Sequence, residues 1–447
     1  MRTENDIKDS IVKTLYAKAE TIVQKAVKAP SDPKETWTHR IDDIVTSRVF
    51  GFPLMIALLC AVFWLTIAGA NVPSEFLAKI LFTIEDHLTA FFTFMNSPPW
   101  LHGVLVLGMY RGLAWVVSVM LPPMAIFFPI FTLLEDLGYL PRVAFNLDHM
   151  FQRVGAHGKQ ALTMAMGFGC NAAGVIAARI IDSPREQLVA IVTNNFVPCN
   201  GRFPILITMG TIIASLTVQS AYGSIMGAVV VLAGVLIGII AAFFVSWGLT
   251  NTILKGEPSL FTLELPPYRI PQVGKVIARS FLDRTIFVLV RAIIVAAPAG
   301  AITWILANIE INQLSIITHL STTLDPFGKA IGLDGVILLA FILGLPANEI
   351  VIPIMLMSYL SAGSMLELES FEAIRGLLLS NGWTWLTAVN FMIFSLLHFP
   401  CGTTLLTIHK ETGRWKWTVI SALLPTALGI IVCFILTRIS RLLLPLF

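Results

Sequence analysis

The sequence predicts an all-α polytopic membrane protein, built as two inverted repeats with broken or re-entrant helices. Three observations predict it. Of the residues, 56% are hydrophobic and only 13% charged, about half the charge of a soluble domain, and the mean hydropathy is +0.80. Apolar runs of about 20 residues recur, enough to cross a hydrocarbon core of about 30 Å. Two pairs of short motifs also echo each other in the same order. Gly167-Phe-Gly-Cys170-Asn171 answers Gly344-Leu-Pro-Ala-Asn348, and Pro198-Cys199-Asn200-Gly201 answers Pro400-Cys401-Gly402-Thr403. Matches in a fixed order mark a duplicated unit.

Residues 1–49 read as a basic amphipathic arm. Ile7, Ile11, Leu15, Ile22 and Val27 form one stripe of a helix over 7–28, with Lys8, Lys13, Lys18, Lys25 and Lys28 elsewhere on it. Such a helix lies on a membrane surface or docks a soluble partner. Ala29 to Pro33 ends it, and no apolar core of the signal-peptide kind occurs in the arm. The first membrane half, 50–250, places spans near 51–69, 102–134 (bent at Pro122, Pro123 and Pro129), 188–215 and 222–248. A Gly- and Ala-rich piece lies at 161–180. A polar loop fills 251–284. The second half, 285–447, has spans near 285–308, 384–405 and 418–439, and a Pro/Gly-interrupted pair at 333–362.

Lys and Arg set the orientation. The basic arm, the 251–284 loop and His409 to Lys416 fall inside, whereas 70–100, 309–332 and 363–382 fall outside. The expected location is therefore a bacterial inner membrane, multi-pass, with a cytoplasmic N-terminus. Arg438 and Arg441 call for an inside C-terminus, yet the span count puts it outside. One further span would reconcile them.

The chemistry gathers at the breaks. Gly and Pro interrupt the helical ladder and free backbone groups that hydrocarbon cannot satisfy, so protein, water or an ion must meet them. Half-helix C-termini would present partial negative charge to a cation. Beside the breaks stand Cys170, Cys199 and Cys401 with sulfur, Asn171 and Asn348 with amide oxygen, and Glu349 with a carboxylate. Mixed sulfur and oxygen donors suit a borderline first-row divalent ion better than magnesium or calcium.

Each residue also has a plainer reading. A cysteine in a membrane helix is commonly a small apolar packer, to which Cys60 and Cys433 are assigned. The two asparagines can serve helix–helix hydrogen bonds, and Glu349 an ion pair or a wet helix start. Glu135 and Asp136 read as a wet loop paired with Arg142. Met164, Met166, Met355 and Met357 read as packing residues, and His398 and His409 as structural or interfacial. The five cysteines form no CxxC pair, which argues against structural zinc. A net charge of +3 is too small for nucleic-acid binding. No phosphate-binding loop is present: the Gly-Lys pairs at 158–159, 274–275 and 328–329 are followed by Gln160, Val276 and Ala330.

Leu134-Glu-Asp-Leu-Gly-Tyr-Leu-Pro-Arg142, Gly167 to Asn171, Pro184-Arg-Glu186 and Pro198-Cys199 resemble the membrane domain of FeoB ferrous-iron transporters. So do Gly344 to Glu349, Pro400-Cys401 and Lys410-Glu-Thr-Gly-Arg-Trp-Lys-Trp417, and the likeness runs from about residue 40 to 430. The resemblance implies two inverted Gate-type repeats around a metal path. By motif match, Cys170, Cys199 and Cys401 fall on the family's membrane cysteines and Glu349 on its Gate glutamate. Ala172-Ala173 stands where the family often has Val-Pro, and Asn348-Glu349 where Lys-Glu is common. The family's cytosolic GTPase and helical regulatory domains have no counterpart in this sequence, and the arm at 7–49 resembles the stub that joins them.

The resulting expectation is a ferrous-iron permease without its own GTPase, not an enzyme. It would hold no permanently bound cofactor, with Fe2+ as transported substrate. The expected partners are the lipid bilayer, a separate GTPase or small accessory protein on the cytoplasmic side, and further copies of the chain. The rival readings are a carrier for another divalent metal or a nucleoside-like solute, and a structural membrane protein.

Overall fold

Apolar runs held between Gly- and Pro-bearing turns become helices nearly throughout, because only helices satisfy their own backbone inside a bilayer. The computed structural model describes residues 4–26, 40–47, 49–155, 158–217, 223–255, 268–365 and 371–443. The linker at 29–33, the end of the arm at 27–28 and residues 256–267 of the polar loop lie outside the described residues. The exception to helix is a hairpin of Glu310–Ile311 with Leu314–Ser315, joined by Asn312 and Gln313 at φ 53° and 65°, the left-handed pair of a tight hairpin turn.

Helix α1 is Glu4–Ala26 and α2 is Gly51–Phe94. The expected outer loop at 70–100 is largely a continuation of the first span. At 44 residues α2 is about 66 Å long, twice a bilayer core. Charges that suggested a loop instead decorate a helix face, Glu75 pairing with Lys79 one turn on at 2.7 Å. Helix α3, Pro99–Asp136, keeps its three interior prolines and winds as a π-helix over Gly103–Tyr110. Helix α4, Tyr139–Arg153, is anchored by Arg142. This fully buried guanidinium pairs with Asp42 (3.0 and 3.1 Å) and also donates to Gly138 O at 2.8 Å. The Tyr268 ring covers it at 4.1 Å. Burial and the Asp42 carboxylate push the Tyr268 phenol up to about 12, so the ring stays neutral.

The first repeat comprises α5 (Lys159–Gly169), α6 (Asn171–Ala177), α7 (Pro184–Thr193, extended by a turn at Asn194–Phe196) and α8 (Phe203–Thr217). Helices α9 (Gly223–Asn251), α10 (Val273–Ser280) and α11 (Phe287–Asn308) follow. The segment read as an outer loop at 309–332 holds a helix, α12 (Ile316–Ala330), started by the Ser315 hydroxyl accepting from Thr318 N at 3.3 Å. It meets α13 (Gly335–Leu343) at 111°, where Asp334 caps α13 through Ile337 N at 2.7 Å. The second repeat continues with α14 (Val351–Tyr359), α15 (Phe371–Ser380), α16 (Trp385–Leu397) and α17 (Gly402–Thr412). Helix α18 (Trp415–Leu443) closes the chain. Among the described residues, seven helical stretches are long and apolar enough to cross a membrane, and the bent α12–α13 pair is a candidate eighth.

The repeats pack crosswise. Helix α17 lies on α6, and α8 on α16. One apolar core runs through both halves, including Phe196, Leu206, Phe341, Met355 and Phe391.

Candidate functional site

Each motif pair becomes a pair of breaks. Cys170 separates α5 from α6 at φ −156°, ψ 127°, and Ala347 stands ahead of the turn Asn348–Ile350 at φ −154°, ψ 128°. The two Gly-x-x-x-Asn segments thus carry the same kink at the same residue. Cys199 (φ −83°, ψ 169°) and Cys401 (φ −59°, ψ 157°) are likewise extended residues just ahead of helical segments. Glycine is required close by. A Cβ on Gly169 would sit 2.3 Å from the Phe127 ring, and one on Gly167 2.3 Å from Asn194 Oδ1.

The breaks converge on one small cavity of about 20 Å³, room for a single water-sized particle. Cys170, Asn171, Cys199, Asn348, Glu349 and Cys401 all line it, so every candidate ligand read from the sequence faces the same space. Cys170 and Cys199 are buried and Cys401 half-buried. The Asn348 amide reaches the Cys199 sulfur at 3.9 Å, and the Cys401 sulfur lies 3.2 Å from the Thr404 hydroxyl. Asn171 is engaged by protein on both ends. With its amide turned to satisfy it, the nitrogen donates to Gly167 O and Val197 O at 3.1 Å, and its backbone carbonyl accepts from Asn194 at 3.0 Å. The Glu349 carboxylate presses on Gly201 so closely that a Cβ there would lie 2.4 Å from Oε1.

Two points differ from the sequence reading. The cavity is lined mainly by helix starts, since Cys170, Ala347, Cys199 and Cys401 are all N-cap residues. Their partial positive charge favours negatively charged ligand side chains, so donation rests on side chains rather than on freed carbonyls. The donors also surround the space without closing on a point: among the described residues, no three His, Cys, Asp or Glu side chains are grouped tightly enough to hold a metal ion.

Cys60, Cys433, Glu135 and Asp136 lie away from the cavity, and Met164, Met166, Met355 and Met357 are buried packers. His398 is buried among aromatic rings, 4.7 Å from Phe341 and 5.0 Å from Phe399. Sequence reasoning missed Met120, Met124, Gly201 and Thr403 in the lining, and Arg202 beside it. Arg202 is fully buried. A charged residue inside the apolar run 188–215 was the available signal.

The Gate family, described as nucleoside recognition, matches residues 117–213 and 289–415. The family described as Ferrous iron transport protein B C terminus matches 231–283, between them. The chain is 30% identical over 439 residues to an Fe(2+) transporter FeoB of Staphylococcus aureus, covering 95% of this chain and 62% of that one. It is 28% identical over 453 residues to an Fe(2+) transporter FeoB of Methanocaldococcus jannaschii, covering 97% and 63%. A Porphyromonas gingivalis relative, an Fe(2+) transport protein A/Fe(2+) transporter FeoB fusion protein, is 26% identical over 456 residues, covering 91% and 52%. The chain thus spans under two thirds of the length of each. No solved structure matches it.

Proposed function

The chain belongs to the Gate family and, over its membrane portion, to the FeoB family, and from that premise we propose that it is a ferrous-iron permease. The observation that carries the reading is a small cavity between the two repeats, lined by three cysteines, two asparagines and Glu349. Thiolate sulfur with carboxylate and amide oxygen is a donor set for a borderline divalent ion. A cavity of about 20 Å³ accepts an ion stripped of most of its water and has no room for a nucleoside ring system, so the nucleoside reading is disfavoured.

In this reading Fe2+ is cargo, held in passing by Cys170, Cys199, Cys401 and Glu349, with Asn171 and Asn348 ordering the breaks and offering amide oxygen. The chain sits in an inner membrane with its basic arm in the cytoplasm. That arm offers a docking face for a GTPase or for an accessory protein, the latter prompted by the fused relative. The test is uptake of radiolabelled ferrous iron into proteoliposomes under reducing conditions, comparing wild type with a Cys199→Ser/Cys401→Ser variant. Uptake lost in a folded variant supports the thiol path. Equal uptake in both removes the cysteines from it.

A further inference from the structure

Arg202 carries a charge that nothing described so far uses. Its Nη1 donates to Asn195 O at 2.9 Å and Leu396 O at 3.1 Å, its Nη2 donates to His398 O at 3.3 Å, and its buried Nε has no partner. The three acceptors are carbonyls at the C-terminal ends of the α7 run (Asn195) and of α16 (Leu396 and His398), which carry partial but not full negative charge, just ahead of the two Pro-Cys breaks. Among the described residues, no carboxylate stands within ion-pair distance of it. A buried guanidinium is strongly unfavourable without opposite charge nearby. The nearby source of such charge is the cavity. Arg202 N donates to Cys199 O at 2.8 Å, and its neighbour Gly201 lines the cavity and touches the Glu349 carboxylate.

The duplication sharpens the point. Three residues after Cys401 stands Thr404, where the first repeat has Arg202. Two residues after the Cys170 kink stands Ala172, where the second repeat has Glu349 after Ala347. Beyond the Cys170 thiol, which has Ala347 as its counterpart, each repeat thus supplies one charged side chain that its twin lacks, the cation from the first and the carboxylate from the second.

We propose that Arg202 is the resident counter-charge of the cavity and makes it selective against hard cations. Mg2+ and Ca2+ bind oxygen largely through charge, so a fixed positive charge beside the donors removes much of their gain. A borderline ion keeps its bonds to sulfur and is displaced less. The inference rests on the ferrous reading above and deepens it.

The test uses Arg202→Gln and Arg202→Lys in proteoliposomes, with ferrous uptake of each protein normalised to its own value without Mg2+ while external Mg2+ is raised. Wild type and the Lys variant should tolerate excess Mg2+. For the Gln variant, half-inhibition should come at an Mg2+ concentration lower by about tenfold, the scale of losing one nearby unit charge. A second arm needs no transport: Mg2+ should raise the melting temperature of purified Arg202→Gln protein and leave wild type unmoved. If Arg202→Gln does not fold, Ala172→Glu, which adds a carboxylate at the equivalent kink, should show the same gain of Mg2+ sensitivity. Arginine variants that lose uptake and melting temperature together, with Mg2+ sensitivity unchanged, would make Arg202 a strut and overturn the proposal. Wild type without ferrous uptake would sink the ferrous reading instead, leaving the melting arm to judge Arg202.

Discussion

Gly201 shows how much one missing side chain decides at this site. The space a Cβ would need is taken by the Glu349 carboxylate, the free end of a flexible chain. Gly201→Ala should therefore fold, with stability changed by about 1 kcal/mol at most, while pushing the carboxylate off its place. Ferrous uptake should fall about tenfold, the scale of one lost charged contact. Unchanged uptake in this variant would remove Glu349 from the path. The six candidate residues were legible in the sequence because Gly and Pro betray where a helix must break, and the residues at these breaks come to line one cavity. Met120 and Met124 were not, since an apolar residue on a long apolar helix carries no mark of which way it faces. Arg202 sat between these cases: its charge in an apolar run announced a role, but its partners are carbonyls of two distant helix ends, which no spacing rule connects.

Among elements, the breaks were placed better than the lengths. Spans near 102–134, 188–215 and 285–308 were found within several residues, because hydrocarbon demands uninterrupted apolar runs. Helix α2 was cut short at residue 69 and α12 taken for loop, because charge and threonine read as solvent exposure. In both segments the backbone stays helical, and the polar side chains satisfy themselves locally, as Glu75 with Lys79 and Ser315 with Thr318. The 40–47 segment is held by a different device, the Arg142–Asp42 clamp. Arg142 is fully buried, so Asp42→Asn removes a buried opposite charge from it and should destabilise the fold by about 3 kcal/mol. Thermal unfolding of the purified variant measures this, and a melting temperature within a degree of wild type would show the clamp to be idle.

At the scale of the molecule, the two repeats are joined rather than adjacent. Besides α17 on α6 and α8 on α16, Arg179 grips Glu411 through two bonds of 2.6 and 2.7 Å. The Arg179–Glu411 pair crosses from α6's end to α17. Reversing either charge alone should lower stability by about 1 kcal/mol, and reversing both should recover most of it. Melting temperatures of the four proteins give the coupling, and additive losses would deny the pair any part in joining the repeats.

The π-wound stretch Gly103–Tyr110 lies upstream of Met120 and Met124 on α3. A π turn holds one residue more than the α turn it replaces. Rewinding it would rotate the rest of α3 by about 100° and slide it by about 1.5 Å. One wall of the cavity is thus carried on a threaded shaft, and one residue's worth of unwinding far along the helix would turn both methionines away from the cavity.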